Sequence, residues 1–118
     1  MEIAMNNITK QFAIDNLLTI HTQALESARQ AAQDYIEKHG EPNYCGFAWV
    51  KVRVKGSTKM GKALKTIGFK LAWDGGLDLW NPSGHGTQSM DVKEAGAYAY
   101  AEIMRGHGID CYAHSRAD

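Results

Sequence analysis

Between Asp78 and Asp91 runs a Gly-rich segment dense in hydrogen-bonding side chains: Asn81, Ser83, His85, Thr87, Gln88 and Ser89. His85 stands between Gly84 and Gly86, so its imidazole rides on a sterically open backbone. A loop of this kind leading into a helix gathers backbone N–H groups, hydroxyls and an imidazole where the helix dipole favours an anion. The expected chemistry is binding of a small anionic ligand of nucleotide type by these six residues. His85 is also the candidate general acid or base, with Asp78 or Asp91 to orient it. No nucleophile, oxyanion hole or carboxylate pair can be assigned beside it, so the catalytic residues are unknown and enzyme activity is left open. In the plainer alternative, residues 81–84 form a turn, Ser89 caps a helix and His85 is simply exposed.

Cations near such a loop would complete an anion site. Lys51, Arg53, Lys55, Lys59, Lys62, Lys65 and Lys70 follow one another with no acid between them, although the whole chain has a net charge of zero. Lys59 and Lys62 are the expected secondary contacts. Arg116, near the chain end, is a further one, because a guanidinium grips phosphate through two parallel hydrogen bonds. Gly56 to Lys62 matches the G-x-x-x-x-G-K phosphate-loop pattern, yet Ala63 follows where a magnesium-binding hydroxyl belongs. That motif is rejected in favour of a capped basic helix.

His107, Cys111, His114 and Cys45 are ligand types without ligand spacing, so neither metal nor cofactor is expected. His21 falls on an apolar helix stripe and reads as an interior or interface histidine, and His39 suits a helix C-terminus. Phe47 and Trp49 alternate with Lys51 and Arg53, a mixture found where single-stranded RNA stacks on a sheet. The neutral chain and the plain segment Leu77-Asp78-Leu79-Trp80 make nucleic acid the less expected partner.

These residues must be positioned by regular elements. Ile14, Leu18, His21, Leu25, Ala28, Ala32 and Tyr35, widened by Leu17, Ala24 and Ala31, predict one long helix over about 7–39, closed by Gly40 and Pro42. Tyr44 to Val54 alternates as a strand, with Ala48, Val50 and Val52 on one face and Phe47, Trp49, Lys51 and Arg53 on the other. Ser57 is the expected cap of a helix carrying Met60, Ala63, Leu64 and Ile67. Phe69–Trp73 and Leu77–Trp80 make a hairpin about Asp74-Gly75-Gly76. A helix capped by Ser89 or Asp91, with Glu94 as box partner and Val92, Ala95, Ala99, Ile103 and Met104 inward, leads to a last strand over Ile109–Ala113. The order is a helix followed by β-α-β-β-α-β, an α+β ferredoxin-like sheet with a long N-terminal helix. Its uncovered face would carry Phe47 and Trp49, which with Leu18 and Leu25 are the expected self-association contacts.

At 118 residues the chain is one domain: the long helix, then an α+β unit over about 43–115. The apolar runs are too short for a membrane span, which needs about 18 residues, and no leader is apparent, so a cytoplasmic protein with two free thiols is expected. The Asn7-Ile8-Thr9 sequon then carries no meaning.

The stretches Tyr44 to Trp49, Pro82 to His85, Gln88 to Asp91 and Ser115 to Asp118 resemble small uncharacterised proteins encoded by tailed bacteriophages, over about residues 30–118. The resemblance implies expression in an infected bacterial cytoplasm and a role in host takeover or evasion of host defence, with no functional residue to carry over. The expected function is therefore binding of a small anionic ligand by a self-associating protein. The alternatives are an inhibitor of a host protein, anchored by Trp49 and Trp80, and a small enzyme using His85.

Overall fold

The computed structural model describes residues 10–118. Its elements are helix α1 (Leu17–His39), strand β1 (Gly46–Val52), helix α2 (Lys59–Thr66), strands β2 (Lys70–Leu71) and β3 (Leu77–Trp80), helix α3 (Met90–Gly106) and strand β4 (Cys111–Ala117). The strands form one antiparallel sheet in the order β2-β3-β1-β4, so β1 is central and β4 is an edge. The chain is a mixed α+β protein with a long N-terminal helix.

Residues 10–15 are also helical, and the helix is interrupted by a turn at Asn16. The start of the predicted helix at 7–9 and the sequon lie outside the described residues. The buried stripe of α1 differs from the expected one by about one position. Ala13, Leu17, Ile20, His21, Ala24, Ala28 and Ala32 are buried, whereas Leu18 is 69% exposed and Leu25 only borders the core. Small residues decide this. Ala24 and Ala28 face the equally small Gly96, Ala97 and Ala101 of α3, so the helices approach closely, and a Cβ on Gly96 would lie 3.3 Å from the Ala28 carbonyl oxygen. The inward stripe of α3 is likewise Val92, Gly96, Ala97, Tyr100, Ala101 and Met104, leaving the expected Ala95, Ala99 and Ile103 at its margin.

Inside this seam, His21 Nδ1 lies 2.6 Å from the Tyr100 hydroxyl, giving both polar groups a partner. Burial lowers the His21 pKa by disfavouring the charged ring, and burial raises that of Tyr100.

β1 alternates as expected. Ala48, Val50 and Val52 enter the core against α3, and Phe47, Trp49 and Lys51 lie on the opposite face. β4 runs to Ala117, beyond the expected end at Ala113, because every residue from Cys111 to Ala117 finds a partner on β1. Cys111 pairs with Val52 and Cys45 precedes Gly46, so the thiols sit at opposite ends of β1 and both are free. Burial pushes the Cys111 thiol up to about 11.

Thr58, not Ser57, caps α2, its hydroxyl accepting from the Gly61 amide at 3.0 Å. Gly61 is required there by contact, since a Cβ would fall 2.2 Å from the Lys55 carbonyl oxygen. In α3 the Ser89 side chain makes no cap bond, and Glu94 instead accepts from the Ser115 hydroxyl. Among the described residues no helix is long and apolar enough to cross a membrane.

Candidate functional site

The loop from Asn81 to Ser89 is a chain of turns bonded largely to itself, the buried Ser89 hydroxyl alone having no hydrogen-bond partner among the described loop residues. Asn81, at a positive φ of 44°, donates from Nδ2 to the His85 carbonyl oxygen at 3.0 Å. Ser83 Oγ donates to Asn81 Oδ1 at 3.1 Å and accepts from the His85 amide at 3.2 Å. The Thr87 amide donates to His85 Nδ1 at 3.1 Å, and the Ser89 amide to Thr87 Oγ1 at 3.0 Å. The side chains of Asn81, Ser83, His85 and Thr87 are therefore engaged within the loop, the habit of Asn, Ser and Thr in turns, whereas the Gln88 side chain meets the Cys45 thiol and the Ser89 hydroxyl is buried without a partner. With Nδ1 accepting, the proton of a neutral His85 ring resides on Nε2, which leaves no free basic nitrogen for a general base.

His85 borders a shallow cleft of about 380 Å³ shared with Glu26, Arg29, Gln30 and Gln33 of α1. The Arg29 guanidinium is paired with Glu26, so the cleft offers no free positive charge of its own. The expected cations are elsewhere. The loop joins the start of β1, through Gln88 on Gly46 and Asn81 on Ala48, whereas Lys59 and Lys62 follow the far end of that strand. A seven-residue strand, about 20 Å long, separates them. Arg116 belongs to neither group, because the β4 register sets it opposite Phe47 on the open sheet face.

That face holds a convergence which sequence spacing did not reveal. Trp49 on β1 lies between Trp80 of β3 and His114 of β4, its register partners. The Trp49 and Trp80 ring centroids are 4.6 Å apart, and those of Trp49 and His114 are 5.5 Å apart, both pairs stacked. At one end of this row Phe47 meets Trp80 edge-on at 5.9 Å. The same Phe47 ring has the Lys93 ammonium at 5.4 Å and the Arg116 guanidinium at 5.7 Å. At the other end Tyr112 packs against His114, and Arg53 both donates to its hydroxyl and lies 5.5 Å from its ring centroid.

Charge on this face is segregated. Lys51, only 1% exposed, is held by Asp74 at 2.8 Å, by Asp78 at 2.9 Å and by the Gly75 carbonyl at 2.7 Å. Burial disfavours its charge, but the hydrogen bonds and charges of the two carboxylates outweigh this and raise its pKa. Lys51 in turn lowers the pKa of Asp74. These two acids are thus engaged at the centre, while Arg53, Lys93 and Arg116 form no salt bridge among the described residues.

Of the expected interface residues, Phe47 and Trp49 lie half-buried in this aromatic row, and Leu18 borders a separate groove of about 870 Å³ with Thr22, Gln23 and Ile103. His107 meets Gln23, and among the described residues no three His, Cys, Asp or Glu side chains converge as metal ligands. Set against protein-family models, curated proteins and solved structures, the chain matches none.

Proposed function

We propose that the protein binds an aromatic anion of nucleotide type on its open sheet face. The base stacks on Trp80, and the phosphate meets Arg116 and Lys93. The observation that carries this reading is one ring, Phe47, touched by Trp80 on one side and approached by two cations that form no salt bridge among the described residues: Arg116, and Lys93, whose ammonium donates to the Gly46 carbonyl at 3.0 Å. Trp80 is 48% exposed, which leaves an aromatic surface for a base. A guanidinium and an ammonium beside it supply the charge-assisted bonds a phosphate needs. The ligand class expected from the loop is kept, and its place moves from His85 to the sheet.

The architecture supports such a use. We read the order β4-β1-β3-β2, with α2 and α3 as the two crossovers, as a ferredoxin-like plan with a helix added at its N-terminal side. Helices then cover one face and leave the other for a ligand. Self-association through the aromatic face is the second reading, favoured by its apolar rings. A twofold pairing of the patch with itself would bring Arg53, Lys93 and Arg116 into one cationic interface, so the anionic ligand is preferred.

Adenosine monophosphate is the probe, followed by tryptophan fluorescence and thermal shift. Saturation at about 100 times Kd should add about 2.7 kcal/mol of stability. Trp80→Ala should remove about 1–3 kcal/mol of binding energy, and Arg116→Gln should weaken binding while leaving the melting temperature in place. Unchanged affinity in both variants would refute the proposed site.

A further inference from the structure

We infer that the ligand of this face is single-stranded nucleic acid, bound across the sheet, an assignment that rests on the nucleotide reading above. A mononucleotide needs one aromatic–cation unit, and the face carries two. Phe47 with Trp80, Lys93 and Arg116 is the first; Tyr112 with Arg53 is the second. Arg116 and Tyr112 are four residues apart along β4, about 13 Å on one face of an extended strand. The stacked rings of Trp80, Trp49 and His114 fill the space between them. A ligand that engages both ends must repeat base and phosphate.

The path continues past Arg53. The hairpin tip between β2 and β3 is drawn onto this face by the bonds from Lys51 to Asp74 and Gly75, and it presents Trp73 at 98% exposure. Lys70 stands in register with Asp78 on the same face. Around the end of β1, Lys10, Arg53 and Lys59 share one cleft with a single acid, Asp110. Of the seven consecutive cations from Lys51 to Lys70, Arg53 and Lys59 thus meet Lys10 at this end of the sheet, and Asp74 and Asp78 are bound to Lys51, the one of the seven that is buried. Polyphosphate is the complement of that distribution.

Single strands are favoured over duplex because a duplex hides the base faces that rings on a sheet would meet. A membrane is disfavoured because the rings pack on one another rather than protruding; Trp73 and Leu71 alone stand clear on the hairpin.

The test is fluorescence anisotropy of the full chain with labelled oligothymidylates of about 4, 8 and 16 nucleotides. Adenosine monophosphate, a duplex of equal length and vesicles of mixed phosphatidylserine and phosphatidylcholine are compared alongside. Affinity should rise with oligonucleotide length and fall at least about tenfold between roughly 50 and 200 mM salt. Trp73→Ala and Arg53→Gln should each weaken the longest oligonucleotide at least about fivefold; Trp73 is too exposed for its loss to unfold the chain. Binding of the monophosphate with no gain from length would overturn this inference and leave the nucleotide reading standing. Failure of every nucleotide probe would overturn both. Equal affinity for duplex, or preference for the vesicles, would overturn the single-strand assignment.

Discussion

Trp80 stacks on Trp49 at 4.6 Å between centroids, yet no strand stands beside its other side. β2 ends at Leu71, paired with Leu77, and its Lys70 reaches only as far as Asp78. The two-residue strand therefore stops short of Trp80 and leaves it open beside Phe47. This difference between two stacked tryptophans makes their substitutions distinguishable. Trp49→Ala removes a ring packed on both sides and should cost about 2 kcal/mol of stability. Trp80→Ala should cost less and act mainly on ligand binding; urea unfolding of both variants separates the two effects.

Lys51 neutralises the centre of the face. Lys51→Met leaves Asp78 buried without its cation and should destabilise the fold by about 2 kcal/mol or more. The pH dependence has two sides. Because Lys51 lowers the Asp74 pKa, this contribution is present above the ordinary Asp value and disappears as pH falls through the lower folded value. The raised Lys51 pKa gives a contribution lost as pH rises through the folded lysine value. Thermal melts from acid to alkaline pH should lose the acid-side portion in Asp74→Asn.

His21 supplies a third, separable pH effect. Burial lowers its pKa, so between the folded value and the ordinary 6.5 the unfolded chain binds more protons and stability falls as pH falls. Its NMR titration should give a midpoint below 6.5. Tyr100→Phe removes the hydroxyl 2.6 Å from its ring and should cost about 1–2 kcal/mol. A midpoint at or above the ordinary histidine value would contradict this effect of burial.

The loop should prove structural. Gly96→Ala would set a Cβ 2.7 Å from Ser83 Cβ, forcing the loop away from α3, and should destabilise by about 1–3 kcal/mol. His85→Ala removes one acceptor, for the Thr87 amide, and should cost no more than about 1 kcal/mol while leaving monophosphate affinity unchanged. Loss of nucleotide binding in His85→Ala would return the site to the loop.

Some of this was legible in the residues and some was not. The two faces of β1 followed from strict alternation, and Gly75 and Gly76 at φ 100° and 71° form the turn their composition predicts. The α1 stripe was displaced because apolar neighbours occur at 17 and 18 and again at 24 and 25, and periodicity alone cannot choose between them. The alanines facing Gly96 and Ala97 made the choice, and that packing is tertiary. In the loop, Asn81, Ser83 and Thr87 are equally apt as ligand contacts and as turn formers, and the bonds they make are of the second kind. Arg116 was singled out, but the Phe47 ring it approaches is shared with Trp80 and Lys93 from two further elements, and only the sheet register and the packing of α3 unite them. β4 escaped detection beyond Ala113 because polar Ser115 and Arg116 interrupt any apolar pattern, whereas its length is set by pairing with β1.

The central claim is most directly tested by the three tryptophan indole N–H signals, those of Trp49, Trp73 and Trp80, in a ¹H–¹⁵N NMR titration with adenosine monophosphate. The account predicts shifts of the Trp80 and Trp49 indoles and of backbone amides around Phe47 and Arg116, with residues 83–88 and α1 unmoved. Shifts confined to His85, Gln30 and their neighbours, or no shift at saturating ligand, would contradict it.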